Sequence, residues 1–134
     1  MSNGDSYSFC AAVHNRIKAL GKFSTNLVEL ESKEQRICIS RLAEGPGNVF
    51  WTSARSDGCP KKHVWCGGGP LTNWPVKKII WGKNEPNNLN YGGEYCARLQ
   101  KEGLVDYPCV LVTSRALCQK FEQTKTTFYL SQKN

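Results

Sequence analysis

The stretch that most constrains this chain is Trp81 to Asp106, because four oxygen-bearing side chains fall there beside a pair of cysteines. Glu85 and Asn87 flank Pro86, Glu94 stands two residues before Cys96, and Asp106 stands three before Cys109. A bridge between Cys96 and Cys109 would bring Glu94 and Asp106 to the mouth of one loop. Carboxylates and amide carbonyls are the donors that hard cations take, and calcium gathers about six to eight such oxygens in a flexible shell. Pro86 fixes the backbone between two of the four. A cis Glu85-Pro86 bond, a conformation confined in practice to bonds before proline, would aim the neighbouring side chains one way.

The chain has 134 residues and seven cysteines. That length fits one domain with a single core, and so many thiols imply an oxidising compartment and a secreted protein. No apolar run reaches the length of a membrane span, and residues 1–5 are polar, unlike a secretory leader. No Asn-x-Ser/Thr acceptor occurs. The net charge of +7 favours anionic surfaces, or simply solubility. Nothing points to nucleic acid as a partner.

In chain order, the first half reads as scaffold. Tyr7–Cys10 is expected to form a short edge strand, and Val13, Ile17 and Leu20 recur at helical spacing with Gly21 as a stop. Leu27–Leu30 alternates as a strand. Ser32-Lys33-Glu34-Gln35 reads as a capping box, opening a second helix that runs to about Ala43 with Ile37, Cys38 and Leu42 as its buried stripe. Val49–Thr52 reads as a core strand. From Ser53 to Glu94 there is little periodicity, and so long a loop in a compact domain implies function or stapling. Cys59, Cys66 and the tryptophans Trp65, Trp74 and Trp81 argue for stapling, with the indoles packed beneath the loop. Strands return at Tyr95–Leu99, Val110–Val112 and Arg115–Gln119, and residues 122–134 read as a polar tail.

Glu-Pro-Asn, then Glu-x-Cys, then Asp-x-x-Cys, with Cys118 in a final apolar run, resembles the carbohydrate-recognition domain of C-type lectins. The resemblance covers 7–121. It includes Phe50-Trp51-Thr52-Ser53 at the family's core strand and Asn73-Trp74 and Trp81 ahead of the Glu-Pro-Asn run, and the Leu-x-Asp-Tyr-Pro-Cys phrasing is similar to invertebrate members. It implies an α+β fold, two helices flanking small antiparallel sheets with a long stapled loop. It also implies one calcium ion, held by Glu85, Asn87, Glu94 and Asp106, the same residues meeting the sugar. Glu before Pro and Asn after it is the family's mannose-type order, suited to equatorial 3- and 4-hydroxyls: mannose, glucose, N-acetylglucosamine, fucose. Val105 stands where the family carries an Asn that binds both ion and sugar, so one ligand is lost. Innate recognition of microbial glycans follows by analogy alone.

The resemblance also implies a Cys96–Cys109 bridge. The family pairs its last-strand cysteine with one in the first helix, but Ile17 stands near that place. Cys118 is then expected to pair with Cys38 or Cys10, with Cys38 preferred because a helix packed on a sheet can present a buried thiol at bridging distance. Cys59 and Cys66 would close a small ring. Cys10 is left odd, a candidate for a free thiol or a disulfide-linked homodimer.

Cys59, His63 and Cys66 have zinc-type spacing but no fourth ligand nearby, and His63 is expected to be exposed within the basic run Lys61–His63. No nucleophile and base are arranged for catalysis, so an enzyme is not expected. The alternative to a lectin is a calcium-independent module whose basic loop face, Lys61, Lys62, Lys77, Lys78 and Lys83, meets an acidic protein or anionic glycan.

Overall fold

The computed structural model describes residues 1–20, 24–41, 49–56, 62–87, 95–111, 114–121 and 126–131. The described elements are helices α1 (Asn3–Ile17) and α2 (Lys33–Ser40), and strands β1 (Ser24–Leu27), β2 (Phe50–Arg55), β3 (Val64–Trp65), β4 (Cys96–Gln100), β5 (Gly103–Tyr107), β6 (Arg115–Phe121) and β7 (Thr126–Leu130). The fold is α+β. Gly21, Leu42, Ala43, Cys59, Lys61 and Glu94 lie outside the described residues.

The first helix starts earlier than its apolar period announces. Ser2 Oγ accepts the Asp5 N–H at 3.2 Å and the Asp5 carboxylate accepts the Ser2 N–H at 3.1 Å, a capping box built with Asp rather than Glu or Gln. The Ser2 N–H, helped by the Ser2 hydroxyl, holds the Asp5 carboxyl below its ordinary range. The helix therefore absorbs Tyr7–Cys10, which does not form a strand. Its buried stripe is Asn3, Ser6, Cys10 and Val13, and the first two are polar, so hydrophobicity alone does not mark it.

That placement rewires the cysteines. Cys10 faces β6 and is bonded to Cys118, with a Cα–Cα separation of 5.5 Å, so the expected Cys38–Cys118 bridge is absent and Cys10 is not odd. Cys38 is instead a free, exposed thiol on α2. The stripe expected there is also displaced: Ile39 and Ser40 are buried while Ile37 and Cys38 are exposed. The Ser32 cap itself is present, its hydroxyl accepting the Gln35 N–H at 3.0 Å.

The described strands form one sheet in the order β1-β6-β2-β4-β5, with β3 on β2 and β7 on β6. Most pairs are antiparallel, but β2 and β6 meet in parallel through Phe50–Arg115 and Trp51–Ala116, so the arrangement is not a set of small antiparallel sheets. The polar tail is corrected in part, since Thr126–Leu130 pairs along the length of β6; its run of Thr, Phe, Tyr and Leu suits a pleated edge. Val110 and Leu111 form no strand and lie exposed in the turn after Cys109. The strand on that side is β5, paired residue for residue with β4.

Neighbouring side chains on a strand point to opposite faces, and here each face has its own core. Trp51, Cys96, Ala116 and Cys118 pack with Cys10 and Leu27 on one. Phe50, Ala97, Leu99, Leu104 and Leu117 pack with Trp65, Ile80 and Ile39 on the other. The first face is covered by α1 and carries both described disulfides, Cys10–Cys118 and Cys96–Cys109. The second is covered by α2 and the long loop.

Candidate functional site

The loop reaches the sheet through Ile80, which is fully buried in the core. Trp81 then bridges to Leu104 of β5, and the Gly82 N–H donates to the Leu104 carbonyl at 2.9 Å. The approach is close because Gly103 lacks a side chain. A Cβ there would lie 2.7 Å from the Gly82 nitrogen, and φ is +136°, a region that side chains rarely adopt. A tight turn follows, with the Glu85 N–H donating to the Gly82 carbonyl at 3.1 Å and Asn84 in the left-handed region at φ 63°.

Beyond this turn the Glu85-Pro86 bond is cis, as the sequence invites. The Asn87 N–H donates to Asp106 Oδ1 at 3.0 Å, and Asn87 Nδ2 donates to both Glu85 carboxylate oxygens, at 2.7 and 3.1 Å. Three of the four expected ligands thus form one hydrogen-bonded unit fastened to β5 at Leu104 and Asp106. Glu94 lies outside the described residues. Among the described residues no three acidic, histidine or cysteine side chains cluster to hold a metal, so the described donor set is two carboxylates and one amide. Their oxygens are the hard-donor chemistry of calcium, and Asn87, with its nitrogen turned to Glu85, has its carbonyl oxygen on the other side of the amide.

Asp106 is fully buried and shares a sheet face with Leu104, toward the loop. Val105 belongs to the opposite face by strand alternation. It stands across the ladder from Arg98, whose guanidinium lies 3.6 Å from the centre of the Tyr107 ring.

Two expectations about the loop are corrected. His63 is buried, not exposed, with its ring edge-on to Trp81 at 4.8 Å; that neighbour in the fold outweighs the basic neighbours in sequence. The tryptophans do not all pack beneath the loop. Trp65 is buried and Trp81 half-buried, but Trp74 is 66% exposed. The Cys59–Cys66 ring rests on a residue outside the described ones. Lys62, Lys77, Lys78 and Lys83 are exposed along the same loop.

Glu29 is a buried carboxylate that no motif singled out. Its Oε1 accepts the Leu71 N–H at 2.7 Å, while Oε2 is buried without a hydrogen-bond partner. Burial pushes its carboxyl above the ordinary range, the Leu71 N–H opposes this, and the Glu31 charge adds to it. The alternating Leu27–Leu30 run, in which Glu29 is the one charged residue, was the available signal.

A solved structure titled "Structure of EPNH mutant of CEL-I" is similar to this chain, with a TM-score of 0.71 and 14% sequence identity, covering 90% of this chain and 83% of that one. At that identity the likeness is one of fold alone. No protein-family model and no curated protein matches the sequence. Intramolecular disulfides are present, and among the described residues no helix is long and apolar enough to cross a membrane.

Proposed function

We propose that this chain is a secreted, calcium-dependent lectin that binds, without turnover, sugars bearing adjacent equatorial hydroxyls, the mannose-type set. The observation that carries it is Asn87, hydrogen-bonded at once to Glu85 and Asp106. A short segment between the long loop and a sheet edge there gathers two carboxylates and an amide. Glu85, Asn87 and Asp106, joined by Glu94, would hold the ion, which when bound supplies a Lewis acid for hydroxyl lone pairs. The chain's own part is to fix donors and acceptors. Glu85 accepts a hydroxyl proton, Asn87 offers an amide hydrogen, and the fastening to Leu104 and Asp106 spares the site the entropy of ordering itself on binding.

Calorimetric titration of chelator-stripped protein with calcium, alone and with methyl α-mannoside, tests this. Binding near one equivalent that tightens with sugar is expected. No heat and no thermal stabilisation up to millimolar calcium would refute it.

A second reading has its own observation. Lys62, Lys77, Lys78 and Lys83 are exposed and, among the described residues, make no ion pair. Such a surface attracts acidic partners over long range. Heparin binding that survives chelator and falls with salt would favour it.

A further inference from the structure

The geometry points to a second saccharide subsite, independent of any ion, on the exposed face of Trp74. Its ligand class rests on the lectin reading, while its location does not.

Leaving a large apolar side chain exposed forgoes the free energy of burying it, and nothing in the local backbone leaves Trp74 loose. The Trp74 N–H donates to the Leu71 carbonyl at 2.8 Å, the Trp74 carbonyl accepts the Trp65 N–H at 3.1 Å, and the Asn73 N–H donates to the Trp65 carbonyl at 2.8 Å. Asn73 makes the bend at φ 71°, a conformation Asn tolerates better than most residues. Leu71 is tied in turn to the buried Glu29 carboxylate. A rigid frame therefore displays this indole outward, while its neighbour Trp65 is buried.

Beside it lies a cleft of about 410 Å³, walled by Trp65, Trp74, Pro70 and Pro75, with Glu31 and Lys77 also lining it. Small-ligand pockets run from roughly 300 to 1,000 Å³ and combine apolar walls with a few polar groups that set orientation. Neither the Glu31 carboxylate nor the Lys77 ammonium makes a hydrogen bond or ion pair among the described residues. One charge of each sign favours a neutral ligand that can both donate and accept over a bare anion or cation. The face of an indole is electron-rich and takes weakly positive hydrogens. A β-linked hexose with equatorial substituents meets all three demands: its axial C–H bonds form a flat apolar face, and its hydroxyls radiate toward the carboxylate and the ammonium. The cleft and the Glu85-Asn87-Asp106 unit share no residue.

The probe is chitotriose, titrated in excess chelator so that the ion site is silent, with the Trp74 indole N–H followed by NMR and the dissociation constant by fluorescence. A saturable shift of that resonance is expected, with affinity lost at least tenfold in Trp74→Ala and partly kept in Trp74→Phe. Chitotriose leaving the Trp74 signal unmoved, or Trp74→Ala binding as tightly as the parent, would overturn the subsite. Methyl α-mannoside titrated with calcium reports separately on the ion site. Its failure beside intact chitotriose binding would remove the calcium reading and leave the subsite standing. Trp74→Ala melting within a few degrees of the parent, expected for so exposed a side chain, keeps the comparison one of binding.

Discussion

Removing the Cys10–Cys118 bridge tests both the wiring and the position of the first helix. The bridge spans 108 residues, and closing a loop of that length removes chain entropy worth about 4.8 kcal/mol at 25 °C in the chain-entropy model. The Cys96–Cys109 bridge spans 13 residues, for which the same relation gives about 2.9 kcal/mol. Replacing each pair by alanine should therefore destabilise unequally, the long bridge by about 2 kcal/mol more. Domains of this size are stable by about 5–15 kcal/mol, and a kilocalorie moves the midpoint by roughly 3–6 °C. The Cys10→Ala/Cys118→Ala protein should then melt about 15–25 °C below the parent. Urea denaturation of both double variants and of Cys38→Ser, read with the slope as well as the midpoint, supplies the comparison. Cys38→Ser should match the parent, since that thiol is free and exposed. If Cys38→Ser lost as much as the Cys10 variant, or native Cys10 reacted with iodoacetamide, the bridge would run from the second helix and the account of α1 would fail.

Further outcomes follow from single positions. Gly103→Ala should destabilise by about 2–4 kcal/mol and weaken calcium binding together, because the added carbon meets backbone at 2.7–3.0 Å; a variant with parental melting would refute the packing. Glu29 has a folded-state pKa raised above its ordinary 4.5, so the folded protein holds the proton more tightly and stability falls as pH rises from 4.5 through the raised value. Glu29→Gln should erase that slope and gain about 1–2 kcal/mol at neutral pH; parallel melting curves from pH 4 to 8 would count against it. Asp106→Asn should weaken calcium at least tenfold while keeping the acceptor for the Asn87 N–H, and calorimetry of the variant settles whether that carboxylate serves the ion or only the fold.

Much of the site could be read before the fold was known, because ligand chemistry is local. Glu85, Pro86 and Asn87 are contiguous, but their contact with Asp106 depends on the Gly82–Leu104 fastening, which the sequence alone does not disclose. What failed was read from periodicity. The first helix buries Asn3 and Ser6, which carry no apolar signal, and its cap uses Asp5, so Cys10 fell outside the expected helix and the long bridge was misassigned. Thr126–Leu130 pairs on β6 only because the rest of the sheet offers an edge, something the segment alone does not disclose. His63 follows two lysines in the sequence, but its neighbour in space is Trp81. Trp74 could not be told from Trp65 without the bend at Asn73.

The fastening of Trp81–Asn87 along β5 has a meaning apart from ligand binding. In the described sheet β5 lies at one end, and an end strand with bare amides and carbonyls is a template for pairing with another chain. Here the Leu104 carbonyl is taken by the Gly82 N–H, and Trp81 bridges to the same residue, so the segment also covers part of the sheet edge. Substitutions that loosen it should promote aggregation through strand pairing as well as loss of ligand. Mutational tolerance in this segment is then set by colloidal stability as much as by what the protein binds.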